Sequence, residues 1–205
     1  LLGFLQALVL SRDEIKGKGV IRSIMIIPLV ISPVVAGFAF RFMYNTDLGV
    51  LPWMLGQVGF NITRILGDPH LALYAVILVD IWCQTPLPFL VLLAGIQGIN
   101  PELYEVAAID GGSYMQSLRY ITIPMLRRSF LVVLIIRAID AFKAFDVLYV
   151  MTEGGPGRAT EGMSMYGYHL AFDSWRIGTA AAFALILFYI VVGVSTLFMR
   201  LQKED

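Results

Sequence analysis

Four stretches of this chain, 20–44, 71–96, 121–142 and 177–199, are apolar for nearly their whole length. Each approaches or exceeds the roughly 20 residues that a helix needs to cross about 30 Å of hydrocarbon. Strands of a membrane barrel would be about half as long and would alternate in polarity, which these stretches do not. A further apolar run at 1–10 has no initiator Met and no basic stretch before it, so it reads as the end of a spanning helix whose start is missing, not as a signal peptide. The expectation is an all-α integral membrane protein, a polytopic helical bundle forming one domain over 1–205. It has one partial and four complete spans, joined by external loops at about 45–70 and 145–176.

Composition agrees with a bilayer as the solvent. Hydrophobic residues make up 58% of the chain, charged residues 15%, and the mean hydropathy is +0.77, whereas a soluble domain carries roughly 25% charge. The 15 basic and 15 acidic residues are dispersed, which argues against nucleic acid as a partner. The single cysteine, Cys83, excludes an intrachain disulfide and a thiol–metal cluster. It reads first as a small buried hydrophobe. His70 and His169 fall outside the expected spans without a second ligand at metal spacing, so no metal site is expected.

Orientation follows from the positive charges. Arg12, Lys16, Lys18 and Arg22 flank the first connection, Arg119, Arg127 and Arg128 the third, and Arg200 and Lys203 lie in the tail, so these sides are expected to be cytoplasmic. The opposite side has Arg41, Arg64, Lys143, Arg158 and Arg176 spread over longer connections, with Trp53 and Trp175 at headgroup level. Pro28 and Pro33 in one span, and Pro86 and Pro88 in the next, each remove a backbone donor and predict kinks or local unwinding.

Ionisable groups at membrane depth require partners or water, because each costs about 2.5–3.5 kcal/mol at a helix centre. Asp80, Arg137 and Asp140 are such groups. Asp80 and Arg137 count to similar depth, so an ion pair between them is expected, and Arg137 can also reach Asp140 at i, i+3. Asp80, Cys83, Gln84 and Leu87 share one helical face, as do Arg137, Asp140, Ala141 and Ala144. One reading is a buried pair that fixes helix register. The other is a hydrated cavity for a polar solute, with Lys143 and Asp146 at its mouth.

The segment 102–124, ELYEVAAIDGGSYMQSLRYITIP, lies between two spans and on the expected cytoplasmic side. Pro101 can set the first turn of a short helix with Asn100 as N-cap, while Glu102 and Glu105 favour its positive end. Ala107, Ala108, Gly111 and Gly112 keep its profile low, and the two glycines stop it. Glu105, Ala107 and Gly111, followed by Ile121, Ile123 and Pro124, resemble the EAA signature of ABC importer permeases. Val106 stands where that signature has its first Ala, Gly112 where many members have Ala, and Ile123 in place of the common Leu.

The resemblance extends to the carbohydrate branch through IP at 27–28, SP at 32–33, DIW at 80–82, Pro86, PELYE at 101–105, DG at 110–111 and TEGGP at 152–156. It implies the type I importer permease class, in a multi-pass protein of the prokaryotic cytoplasmic (inner) membrane, with the first helix and most of the second absent from the sequence. It further implies a coupling helix at about 101–113 that contacts an ATPase through Glu102, Glu105, Ala107, Ala108, Asp110, Gly111 and Gly112. By the same resemblance, Asp80, Cys83, Gln84, Leu87, Arg137, Asp140, Ala141 and Ala144 are substrate contacts, and Gly154, Gly155 and Pro156 meet an extracytoplasmic solute-binding protein. The implied partners are a second homologous permease subunit in a heterodimer, two ABC ATPase subunits, the binding protein and the lipid bilayer. The implied cargo is a sugar, that is an oligosaccharide, polyol or glycerol-phosphate-like solute.

The glycine-rich run EGGPGRATEG has no G-x-x-x-x-G-K-[ST] pattern and lies on the wrong side for cytoplasmic ATP. No cofactor is expected on this chain, ATP and Mg belonging to the partner subunits. No nucleophile–base arrangement is visible, so an enzyme is not expected. The alternative reading is an ion-coupled secondary carrier using Asp80, Arg137 and Asp140 as a relay.

Overall fold

The computed structural model describes residues 1–12, 16–59 and 64–203, the side chains of 201–203 excepted. Residues 60–63 of the expected loop 45–70, and the side chain of Lys203 in the basic tail, lie outside the described residues. Among those described, the secondary structure is helical, with no strand. Two helical stretches are long and apolar enough to cross a membrane, Pro69–Gln97 and Ile177–Arg200, and a broken pair, Lys18–Val30 with Pro33–Met43, passes the same test jointly. The stretch 20–44 is therefore two helices, α2 (Lys18–Val30) and α3 (Pro33–Met43), which follow α1 (Leu2–Ser11). Pro28 lies inside α2, and the interruption falls at Ile31 and Ser32, just before Pro33 opens α3. This matches the restriction that proline imposes on the residue preceding it. Next come α4 (Val50–Gln57), α5 (Pro69–Gln84) and α6 (Pro86–Gln97), with Thr85 as the single residue between the last two. Pro86 and Pro88 fall in the first turn of α6, where an amide has no acceptor within its own helix.

Two compact units divide the chain. The first contains α1, most of α2, α6, and the helices that follow it as far as Arg137. These are α7 (Glu102–Ile109), α8 (Tyr114–Ser117), a π turn (Leu118–Thr122), α9 (Ile123–Met125) and the first part of α10 (Arg127–Lys143). Its core joins Ala7 and Leu10 of α1 to Phe89, Leu92 and Leu93 of α6 and Val133 of α10. Lipid tails are as apolar as leucine, so close packing, not the hydrophobic effect, must hold such helices together, and small residues permit it. Gly3 and Ala7, spaced i, i+4 on α1, provide that here: a Cβ on Gly3 would come within 2.8 Å of the Phe89 backbone nitrogen. Gly95 on α6 does the same beneath α9 and α10, where a Cβ would lie 2.7 Å from both Leu126 Cδ2 and Ser129 Oγ. Phe4 and Phe130 meet edge to face, with ring centroids 5.1 Å apart. Arg22 Nη2 donates to Leu10 O at 3.1 Å and so satisfies a carbonyl in the last turn of α1.

The second unit holds α3, α4, most of α5, the rest of α10, α11 (Asp146–Thr152), α12 (Met163–Tyr168), a second π turn (His169–Asp173) and most of α13 (Ile177–Lys203). Its core gathers Ala36, Tyr44, Ile65, Ala75, Val76, Val79, Cys83, Val147 and Met151. Gly37 allows α3 to press on α11, since a Cβ there would sit 3.1 Å from Val150 Cβ. Asp68 caps α5, its Oδ1 accepting from the amides of His70 and Leu71 at 2.9 and 3.0 Å, with Pro69 at the first helical position. Only 6% of the most apolar window of α13 is covered by the protein, as suits a helix that faces lipid or another chain.

Candidate functional site

The helix α7 is closed at both ends by local chemistry. At its start, Asn100 Oδ1 accepts from the Glu102 amide at 3.1 Å and Asn100 Nδ2 donates to Glu102 Oε2 at 3.1 Å, while Pro101 already holds helical dihedrals. At its end, the Gly112 amide donates to Ala107 O at 2.8 Å and the Gly111 amide to Ala108 O at 3.1 Å. These two bonds form a Schellman motif, with Gly111 at φ +78° in the left-handed position that the motif requires. Gly112 must be small for a different reason, because a Cβ there would lie 2.7 Å from Ala107 O. The chain restarts at once: Ser113 and Gln116 form a capping box, Ser113 N donating to Gln116 Oε1 at 2.7 Å and Gln116 N to Ser113 Oγ at 3.4 Å.

The outward surface of α7 mixes carboxylates with uncovered apolar side chains. Glu102, Glu105, Ala108, Asp110 and Gly111 are exposed, and Ala107 and Gly112 half-buried. Leu103, Val106 and Ile109 follow one another at i, i+3 spacing, and Ile109 is 83% exposed. On the inward side, Tyr104 Oη lies 2.9 Å from Thr122 Oγ1 in the first π turn.

The candidate solute contacts divide between the units. Asp80 and Cys83 on α5, and Asp140, Ala141 and Ala144 at and beyond the end of α10, lie in the second unit. Gln84, Leu87 and Arg137 lie in the first. Cys83 is buried in the second unit's core, as expected of a small hydrophobe. Asp80, Gln84, Leu87, Arg137, Asp140 and Ala144 are half-buried and Ala141 is exposed. Asp140 Oδ1 pairs with Lys143 Nζ at 3.8 Å.

The loop after α11 is tightly built. Glu153 and Gly154 take positive φ of 52° and 84°, and the Gly155 amide donates to Thr152 O at 2.9 Å. Pro156 O accepts from the Ala159 amide at 3.2 Å, and the Thr160 amide donates to Gly154 O at 3.1 Å. The Thr160 hydroxyl, 3% exposed, lies 2.6 Å from Thr152 Oγ1 and 2.9 Å from Gly155 O. Arg158 and Glu161 form a hydrogen-bonded ion pair, and that bond raises the guanidinium's pKa still further above its usual range. Thr160→Val is expected to remove the closing bonds at a cost of about 1–3 kcal/mol. Hydrogen exchange should then be faster at the Gly155 and Thr160 amides, while α11 remains protected.

Residues 50–202 match the family described as the inner-membrane component of binding-protein-dependent transport systems. The chain belongs to that family. It is thus an ABC importer permease chain, and its relatives bear this out. The trehalose/maltose transport system permease protein MalF of Thermococcus litoralis is 36% identical over 206 residues, covering 99% of this permease and 68% of the relative. A bacterial ABC transporter that imports the acidic polysaccharide alginate shares the fold at a TM-score of 0.90, with 24% identity, over 99% of this permease and 72% of that chain. A bacterial alginate ABC transporter in complex with an alginate pentasaccharide-bound periplasmic protein aligns at a TM-score of 0.84 and 27% identity, over 98% and 72% of the two chains. The permease spans 62% to 68% of the length of the first relatives it matches.

Sequence reasoning missed three polar contacts in the permease. They are Tyr104 with Thr122, Thr152 with Thr160, and Arg41 of α3, whose Nη1 donates to Val150 O at 2.9 Å and lies 3.7 Å from Glu153. Partners separated by 18 and 109 residues leave no periodic trace in a single sequence. Arg41 is nonetheless the cation that a helix C-terminus favours, set against the last turn of α11.

Proposed function

We propose that this chain is the translocation subunit of an ATP-driven, binding-protein-dependent importer for a sugar, and that α7 is the helix on which the ATPase acts. One observation carries the second part. A short helix, rigidly capped at both ends and set in a connection between apolar helices, presents Leu103, Val106 and Ile109 beside Glu102 and Glu105 to the surroundings. An apolar stripe with an acidic rim is the composition of a docking surface. The spread of Arg and Lys supports a cytoplasmic side for this connection, where ATP is available.

In this mechanism the chain carries no covalent chemistry. Two ATPase subunits close on ATP and move α7, a second permease completes the pathway, and the binding protein delivers solute at the opposite side, where Gly154, Gly155 and Pro156 form part of the built loop. Alternating access is then rigid-body rocking of packed helices. Asp80, Gln84, Leu87, Arg137, Asp140, Ala141 and Ala144 are proposed to line the path, the mid-membrane cost of their charged members being offset by water and solute. A sugar is the favoured cargo because the named relatives handle trehalose, maltose and alginate.

The test is reconstitution of the full-length permease with its partner permease, ATPase and binding protein in proteoliposomes. Sugar uptake is expected to require ATP and binding protein and to survive collapse of the proton gradient. Uptake that persists without ATP but stops when the gradient collapses would instead establish an ion-coupled carrier.

A further inference from the structure

We propose that the Tyr104 hydroxyl is the tie through which α7 moves the base of α10, its bond to Thr122 turning displacement of α7 into a shift of the first π turn. The inference rests on the coupling role of α7 proposed above. Of the eight residues of α7, only Tyr104 and Ala107 are not exposed, and the Ala107 side chain has no polar group with which to hold a neighbouring element. The rest of the contact is loose. A cavity of about 480 Å³ is lined by Pro101, Tyr104, Tyr114 and Thr122, and another of about 280 Å³ by Ala107, Gly112, Ser117 and Ile121. The hydroxyl pair lies at the wall of the first.

Tyr104 Oη and Thr122 Oγ1 lie 2.9 Å apart, and each hydroxyl can donate to or accept from the other, while Thr122 Oγ1 also lies 3.5 Å from Ser117 O. Thr122 is 4% exposed.

What the tie pulls on is a deformable element. The Leu118–Thr122 turn is π-helical, with the Ile123 amide donating to Leu118 O, and such turns hold a residue more than an α turn. Releasing that residue would rotate the following helix by about 100° and advance it by about 1.5 Å. Immediately beyond, Leu126 is 1% exposed, and it and Ser129 pack against Gly95 of α6, so a shift of the π turn is felt at that contact. Downstream on the same helix lies Arg137, one of the proposed path residues.

The test uses the full-length permease assembled with its partners in proteoliposomes, reading sugar transported per ATP hydrolysed. Tyr104→Phe and Thr122→Val are expected each to lower that ratio about fivefold, equivalent to about 1 kcal/mol for one hydroxyl bond. The double variant should be no worse than either single one, and Thr122→Ser, which keeps the hydroxyl, should retain the wild-type ratio. An unchanged ratio in Tyr104→Phe and Thr122→Val overturns the tie, as does a ratio lost equally in Thr122→Ser. Glu105→Lys, measured alongside, separates the two readings. If it abolishes transport-linked hydrolysis while the tie variants do not matter, coupling through α7 stands and the tie falls. If it too is without effect, the coupling role itself fails.

Discussion

Gly111→Val is expected to abolish uptake and transport-linked ATP hydrolysis while the permease still reaches the membrane. Gly111 sits at φ +78° with nothing near the position a Cβ would take, so the penalty is conformational and not steric crowding by neighbours. A left-handed backbone costs an L-residue roughly 1–2 kcal/mol, and a β-branched side chain is the least tolerant. The alternative open to the chain is to abandon the Schellman bonds from Gly111 to Ala108 and from Gly112 to Ala107, which sets α7 and the Ser113 capping box at a new angle. Asparagine enters the left-handed region far more readily, so Gly111→Asn should retain most uptake. Glu105→Lys reaches the same end by another route: it reverses a charge on the exposed face, in the first turn of α7, where a carboxylate suits the helix dipole. Uptake and ATPase rates in reconstituted vesicles, beside surface quantity of each variant, decide the matter. Normal uptake in both Gly111→Val and Glu105→Lys would remove α7 from the coupling mechanism.

The contrast between Gly111 and Tyr104 shows which parts of such a chain can be read in advance. Apolar length alone announces a helical membrane protein, because the bilayer imposes a length on every crossing. The stop at Gly111 and Gly112 is legible because it depends on residues within six positions of each other. Prolines were informative about the location of breaks but not about their extent. Pro33 coincides with an interruption between α2 and α3, whereas Pro86 and Pro88 occupy the first turn of α6 and leave Pro69–Gln97 a single stretch long enough to span. Cys83 shows the limit of helical-face arithmetic. It shares a face with Asp80 and Gln84 by spacing, yet its side chain is packed in a core with Val79 and Met151, a distinction set by neighbours that spacing does not contain. The polar ties of Tyr104, Thr160 and Arg41 are long-range or aperiodic and appear only once the helices are assembled.

Glycine-to-alanine exchanges at two helical positions should move stability in opposite directions, with the larger effect at Gly3. In the interior of a helix alanine is better than glycine by roughly 0.5–1 kcal/mol, since glycine gives up more backbone freedom on ordering. Gly56, the penultimate residue of α4, has nothing within 4 Å of a prospective Cβ, so Gly56→Ala is expected to gain up to that amount. Gly3 has the same intrinsic incentive, but its Cβ would meet the Phe89 backbone nitrogen and Pro88 Cβ at 2.8 Å, inside contact distance. Backbone cannot turn aside as a side-chain end can, so α1 must retreat from α6. Retreat opens the contact between Ala7, Leu10, Phe89 and Leu92, where dispersion between closely packed atoms, and not exclusion of water, holds membrane helices together. Overpacking of this kind costs roughly 1–3 kcal/mol, which outweighs the propensity gain. Thermal unfolding of the purified full-length permease in detergent should show a lower midpoint for Gly3→Ala and an equal or higher one for Gly56→Ala. An unchanged midpoint at Gly3 would mean that α1 is not held to α6 by this approach.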